Sequence, residues 1–195
     1  MSGVLSDNEI KFARDVGDIV IHPFKEENLG NCSYDVSLGK YYYQAQPVIS
    51  QNVINPFSSS DVSAFWGHVR DASFEGGFIS LPAFSIILVS TEEFIGARRD
   101  ITTMLIPRSS LGRAGISMVS GGWGDIGYIN RWTVCLSNNT SWNMKLPVGE
   151  RFAQIIFLRS HYPNKLYSGQ YQNSDDLLSL MKEWTPMSML PKELK

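Results

Sequence analysis

Residues 78–107 read FISLPAFSIILVSTEEFIGARRDITTMLIP, and this stretch holds three short β-prone runs: Phe78 to Leu81, Ser85 to Thr91 and Thr102 to Ile106. Branched and aromatic side chains fill the runs, and turn-forming residues separate them. The same texture continues downstream in Ile116 to Val119, Trp132 to Leu136, Met144 to Leu146 and Phe152 to Leu158. Pro, Gly, Asn or Asp punctuates most of the gaps. No long helical crossover fits between these runs, so a parallel Rossmann-type sheet is not expected. The pattern predicts an all-β fold, a mostly antiparallel distorted β-barrel or jelly roll.

Upstream, Tyr34, Val36 and Leu38 alternate with Ser33, Asp35 and Ser37 until Gly39. That is a half-buried strand, with Asp35 on the face opposite Tyr34 and Val36. The chain starts with a short helix. Ser6 and Glu9 have capping-box spacing, Ile10, Ala13 and Val16 supply an apolar side, and Gly17 stops it. Residues 50–77 are polar and are expected to be irregular loops around one or two short strands near Phe65 to Val69. Beyond Tyr162 the composition turns polar again. Asp175 to Trp184 suits a last helix with Leu177, Leu178, Met181 and Trp184 on one side, ended by Pro186 and Pro191. One domain over residues 1–195 is expected, flanked by short terminal helices, with 160–195 as a C-terminal arm or lid.

The chain has 195 residues, 43% hydrophobic and 18% charged, enough to bury a core without covalent staples. A formal net charge of -2 argues against a general grip on nucleic acid, which needs many phosphate-neutralising cations. The beginning lacks the basic and apolar regions of a secretory signal, and Phe84 to Val89 is too short to span a bilayer. A cytoplasmic protein with no membrane partner is the expectation. Cys32 and Cys135 are far apart and lack metal-ligand spacing, and His22, His68 and His161 are scattered, so no protein-only metal site is expected.

Three segments carry chemistry. In Pro107-Arg108-Ser109-Ser110-Leu111-Gly112-Arg113-Ala114-Gly115 a strand ends in a turn with two Arg and two hydroxyls, which suits phosphate but also an ordinary solvated turn. In Gly121-Gly122-Trp123-Gly124-Asp125-Ile126-Gly127-Tyr128 the glycines suit a backbone lying against a ligand, or simply a tight turn with a surface Asp. In Gly149-Glu150-Arg151-Phe152-Ala153-Gln154-Ile155, Arg151 and Gln154 are polar positions beside strand core, and edge positions explain them equally well.

Together and in this order the segments resemble the blocks of the dUTPase and dCTP deaminase superfamily. Ser33-Tyr34-Asp35-Val36-Ser37-Leu38-Gly39 resembles the first block of dCTP deaminases, and the three segments above resemble blocks two to four. Tyr167-Ser168-Gly169-Gln170-Tyr171-Gln172 looks like the deaminase type of C-terminal block. The resemblance spans roughly residues 31–172. It implies a dUTPase-like fold, a pyrimidine deoxynucleoside triphosphate as ligand, and a homotrimer with active sites shared between subunits. It also implies Mg²⁺ bound mainly through the substrate triphosphate.

The superfamily performs two reactions. In dCTP deaminases a Glu in the strand after the third block activates water; aligned from Asp125 to Asn138, that position falls on Cys135. No other acid lies between Gly127 and Asn138. Asp125 matches the Asp that activates water in dUTPases, and its 17-position separation from Arg108 is the trimeric dUTPase spacing. The expectation is therefore dUTP hydrolysis to dUMP and pyrophosphate, catalysed by Asp125 with Arg113 assisting. Arg108, Ser109, Ser110, Arg151 and Gln154 would hold phosphates, and Gly122 and Tyr128 would frame the base and deoxyribose. Tyr167 and Gln172 would contact substrate from the C-terminal block. Asn130, Arg131, Trp132 and Trp123 depart from the usual hairpin of the base pocket. The alternatives are a dCTP deaminase or a catalytically weak pyrimidine deoxynucleotide-binding protein.

Overall fold

The computed structural model describes residues 3–46, 53–119, 122–172 and 174–192. In chain order the elements are β1 (Gly3–Val4), α1 (Asp7–Asp15), β2 (Ile19–His22), β3 (Tyr34–Gln44), α2 (Ser59–Trp66), β4 (Arg70–Asp71), β5 (Phe78–Leu81) and β6 (Ile86–Ala97). They continue with β7 (Ile101–Pro107), α3 (Ser109–Arg113), β8 (Ile116–Met118), β9 (Trp123–Gly124), β10 (Ile129–Asn138), β11 (Met144–Pro147), β12 (Arg151–Arg159) and α4 (Leu177–Glu183).

Among the described residues the main sheet runs β8-β10-β6-β3-β12-β7-β9, with β1, β2 and β4 added to β12, β6 and β3. All these pairings are antiparallel. The sheet curls into a half-barrel, the jelly-roll architecture expected of the strand pattern. Its concave side is filled by Tyr34, Val36, Leu38, Val89, Val134, Leu136, Ile155 and Phe157, all at most 2% exposed. Each such side chain contributes about 1.5–3 kcal/mol relative to an exposed one. Helix α1 seals one end through Ile10 and Ala13. Ser6 and Glu9 form its capping box, with the Glu9 carboxylate accepting from Ser6 N at 2.9 Å.

Two local expectations need correction. Of the short strands expected near Phe65 to Val69, only the two-residue β4 forms, at Arg70–Asp71, and Phe65 and Trp66 belong to α2 instead; residues 50–52 lie outside the described residues. Ser58 caps this helix by accepting from Asp61 N, and Val62 and Trp66, one turn apart, bury against Tyr43, Leu88 and Met189. A helical period was thus hidden in a polar composition. The last helix is present but rotated. Leu180 is its buried residue, flanked by Leu177 and Trp184, whereas Leu178 is 75% exposed. It ends at Glu183, and Pro186 begins a separate 3-10 turn over Pro186–Met189. No described helix is long and apolar enough to cross a membrane.

Candidate active site

Two groups of the sequence-selected residues assemble, and they assemble at opposite ends of β7. At the first end, β3 and β12 pair with Asp35 opposite Gln154. The next strand over is β7, whose Pro107 lies opposite Ala153. Arg108 follows directly and turns its guanidinium onto Asp35. Asp35 Oδ2 also accepts from Arg151 Nη1 at 3.3 Å, and Asp35 Oδ1 accepts from Gln154 Nε2 at 2.9 Å. One buried carboxylate thus gathers two arginines and an amide. Ser109 and Ser110 lie just beyond, exposed in the first turn of α3, and Arg113 is exposed at its end.

At the other end, β9 pairs with β7 so that Gly124 lies opposite Thr103. Asp125 therefore sits level with Thr102, six positions from Arg108 along the strand direction, or about 20 Å. The close approach of β9 requires a glycine, because a Cβ on Gly124 would meet Thr103 Oγ1 at 2.2 Å and the Trp132 ring at 2.6 Å. Beside Asp125 opens a cavity of about 510 Å³, walled by β10 and by residues from α2 and the C-terminal segment. Its lining is aromatic, with Trp66, Trp123, Tyr128, Trp132, Tyr167 and Trp184 among its walls. Asp125 is the only acid among the lining residues and Arg131 the only Arg or Lys.

After its irregularity, β10 alternates so that Val134 and Leu136 point into the core, Trp132 is buried there with part of its side chain at the cavity wall, and Arg131, Thr133 and Cys135 line the cavity. Cys135 packs beside Trp66, Leu88 and Met189, and burial pushes its thiol up, away from the thiolate. Tyr128 stands edge-on to Trp132 and Tyr167, at 5.6 and 5.0 Å between ring centroids. Burial raises its phenol strongly.

The C-terminal segment is tied to the turn that carries these groups. Tyr167 N donates to Ile126 O at 2.9 Å, and the Gln172 side chain donates to Gly127 O at 2.8 Å while accepting from Ile129 N at 2.6 Å. Asn130 Nδ2 reaches Tyr171 O at 2.7 Å. Tyr167 lines the cavity, whereas Gln172 is spent on backbone. Gly122 sits at φ 123° beside β7, where its carbonyl accepts from Leu105 N at 2.7 Å.

Asp35 is a member of the first group that residue type did not select. Its signal was present: a lone acid on the polar face of an alternating strand. Trp66, Leu88, Trp184 and Met189 were also missed, because only tertiary packing brings an insertion and a tail onto one wall.

A sequence model of the family described as dCTP deaminase-like matches residues 4–160. A dCTP deaminase, dUMP-forming, from Methanopyrus kandleri is 35% identical over 182 residues, covering 88% of this chain and 92% of that protein. One of the same description from Aquifex aeolicus is 30% identical, covering 87% and 89%. A dCTP deaminase from Thermococcus kodakarensis is 33% identical, covering 82% and 89%. The fold is similar to the crystal structure of 2'-deoxycytidine 5'-triphosphate deaminase from Agrobacterium tumefaciens, with TM-score 0.63 at 20% identity; the match covers 82% of this chain and 49% of that one. These likenesses overturn the expectation of dUTP hydrolysis. Arg108 and Asp125, 17 positions apart in sequence, lie at opposite ends of β7 within one chain.

Proposed function

The chain belongs to the dCTP deaminase-like family, and from that premise we propose that it deaminates the cytosine of dCTP with Asp125 activating the water. The observation that carries this reading is that Asp125 is the one carboxylate on the aromatic cavity that Cys135 also lines. Where the resemblance placed a family Glu, this chain has a thiol, so the proton acceptor moves to the neighbouring wall. Water adds to C4 of cytosine as Asp125 takes its proton. The electrons of the C4–N3 double bond pass to N3, which takes the proton from Asp125; the new C4 hydroxyl then gives its proton to N4 through Asp125, and the C4–N4 bond breaks to release ammonia and leave a C4 carbonyl. Tyr128 and the exposed Trp123 supply apolar ring surface for the pyrimidine and sugar.

The triphosphate is assigned to Arg108, Arg151 and Gln154, with Ser109, Ser110 and Arg113 beside them. These lie about 20 Å from Asp125 along β7, so a neighbouring copy must bring its donor cluster to the cavity. We therefore infer a homotrimer with shared sites. Among the described residues no three His, Cys, Asp or Glu side chains converge to hold a metal. Mg²⁺ would then ride on the triphosphate, where its contribution is to neutralise phosphate charge.

The test is to incubate the purified protein with dCTP and Mg²⁺ and follow ammonia release together with the base and phosphate content of the product. Asp125→Asn should lower ammonia release at least about a hundredfold. Undiminished release by that variant would refute the role of Asp125, and no release by the wild type would refute deamination. Mixing inactive Asp125→Asn with inactive Arg108→Ala should restore part of the activity if sites are shared. A monomer by light scattering that still turns over dCTP would refute the trimer.

A further inference from the structure

We propose that Arg131 is a specificity-determining residue that reads the acceptor edge of the pyrimidine ring, an inference that rests on the dCTP reading above. Its guanidinium carbon lies 4.7 Å from the Trp184 ring centroid and 5.1 Å from that of Phe94. Two aromatic neighbours limit the positions a guanidinium can take. The Nε of Arg131 is buried and has no hydrogen-bond partner among the described residues. A buried donor left unmade is costly, and an acceptor on a bound ligand removes that cost. Burial lowers the pKa of Arg131, while Glu92 and Glu93 act in the opposite direction and favour its charge.

The character of the ligand follows from the rest of the wall. Arg131 is the only Arg or Lys among the lining residues and Asp125 the only acid, so a triphosphate would find one cation and one repulsive carboxylate there. Two arginines and an amide for phosphate stand elsewhere, at Asp35. The aromatic lining suits a flat neutral ring, and the O2 and N3 atoms of cytosine form an edge made of acceptors. A guanidinium donating to O2 leaves the N3 lone pair open to the proton it takes when water adds at C4, and offsets the charge drawn onto the O2–N3 side. Arg131 thereby favours a pyrimidine presenting this edge to β10.

Calorimetric titration of the full chain with dCTP and, separately, with inorganic tripolyphosphate tests this. Arg131→Met should weaken dCTP binding by about ten- to a hundredfold, the usual worth of a charged donor to a ligand acceptor, and leave tripolyphosphate unchanged. Arg131→Lys keeps a cation over Trp184, and so the anchoring of the C-terminal segment, but loses the planar edge; it should also lose at least about tenfold for dCTP. Unchanged dCTP affinity in Arg131→Lys and Arg131→Met would overturn the proposal, and so would an equal loss for tripolyphosphate. A wild type that binds dCTP but releases no ammonia, with the selective loss in both variants, would sustain Arg131 as the ring reader while refuting the deaminase reading. A wild type that deaminates beside variants of full dCTP affinity would do the reverse.

Discussion

Asp35 and Gln154 face each other across the β3–β12 ladder, and Gln154 Nε2 donates to Asp35 Oδ1 at 2.9 Å. The second oxygen of the same carboxylate accepts from Arg108 and Arg151, so one residue sets the geometry of all three donors. Asp35→Asn replaces two charge-assisted bonds by weak or repulsive contacts. It should cost about 1–3 kcal/mol of stability and raise KM for dCTP more than it lowers kcat. Urea unfolding and steady-state ammonia release measure both; a variant equal to the wild type in KM and midpoint would show that the arginines are positioned by other means.

Gly96 lies opposite Ile129 where β6 meets β10, and a Cβ there would stand 1.9 Å from Tyr128 O. Neither strand can retreat without moving the turn that carries Asp125 and Tyr128. Gly96→Ala should destabilise by about 3 kcal/mol and weaken dCTP binding, read by thermal unfolding and calorimetry.

Cys135 shares a wall with Trp66, Leu88 and Met189, and its raised thiol pKa leaves little thiolate at neutral pH. Cys135→Ala should therefore keep ammonia release within about threefold of wild type, since no chemistry is assigned to the thiol. Cys135→Glu places a carboxyl in apolar surroundings that raise its pKa. The penalty should be small near pH 5 and reach about 2–4 kcal/mol at pH 8, which denaturant melts at the two pH values would show.

Glu93 is fully buried, and desolvation raises its pKa despite donation from Ser37 N at 2.9 Å. A raised folded-state pKa means that the folded state holds the proton more tightly. Its stabilising contribution is then complete below the unfolded carboxyl pKa near 4.5 and is lost as pH rises through the folded value. Glu93→Gln cannot ionise and still offers an oxygen to Ser37. Its stability should be flatter than that of wild type as pH rises above about 4.5. Parallel curves for the two proteins would contradict this assignment.

Gln172 bridges Gly127 O and Ile129 N, so Gln172→Ala removes two hydrogen bonds from the turn next to Asp125. Amide exchange at Ile129 should accelerate, and stability should fall by about 1–2 kcal/mol. Hydrogen exchange followed by mass spectrometry or NMR reads the first effect directly.

The strands were legible because alternation and turn residues are local properties. Tyr34, Val36 and Leu38 announce β3, and Phe78–Leu81 is a strand over the same residues that the pattern marks. The capping box of Ser6 and Glu9 is likewise complete within four residues. Helix α2 was not legible, since its apolar residues Val62 and Trp66 are sparse among serines and declare a side only when Tyr43 and Leu88 cover it.

Residue type alone could only nominate Arg108, Arg151, Gln154 and Asp125 as candidates for polar chemistry, because charge and hydrogen-bonding capacity belong to the side chain itself. Tertiary structure alone decided that the first three converge on Asp35, that Asp125 lies at the far end of β7, and that Arg131 comes to rest between Phe94 and Trp184. The physical reason is that strand register and the packing of the C-terminal segment set distances between residues remote in the chain, and no local spacing encodes those distances.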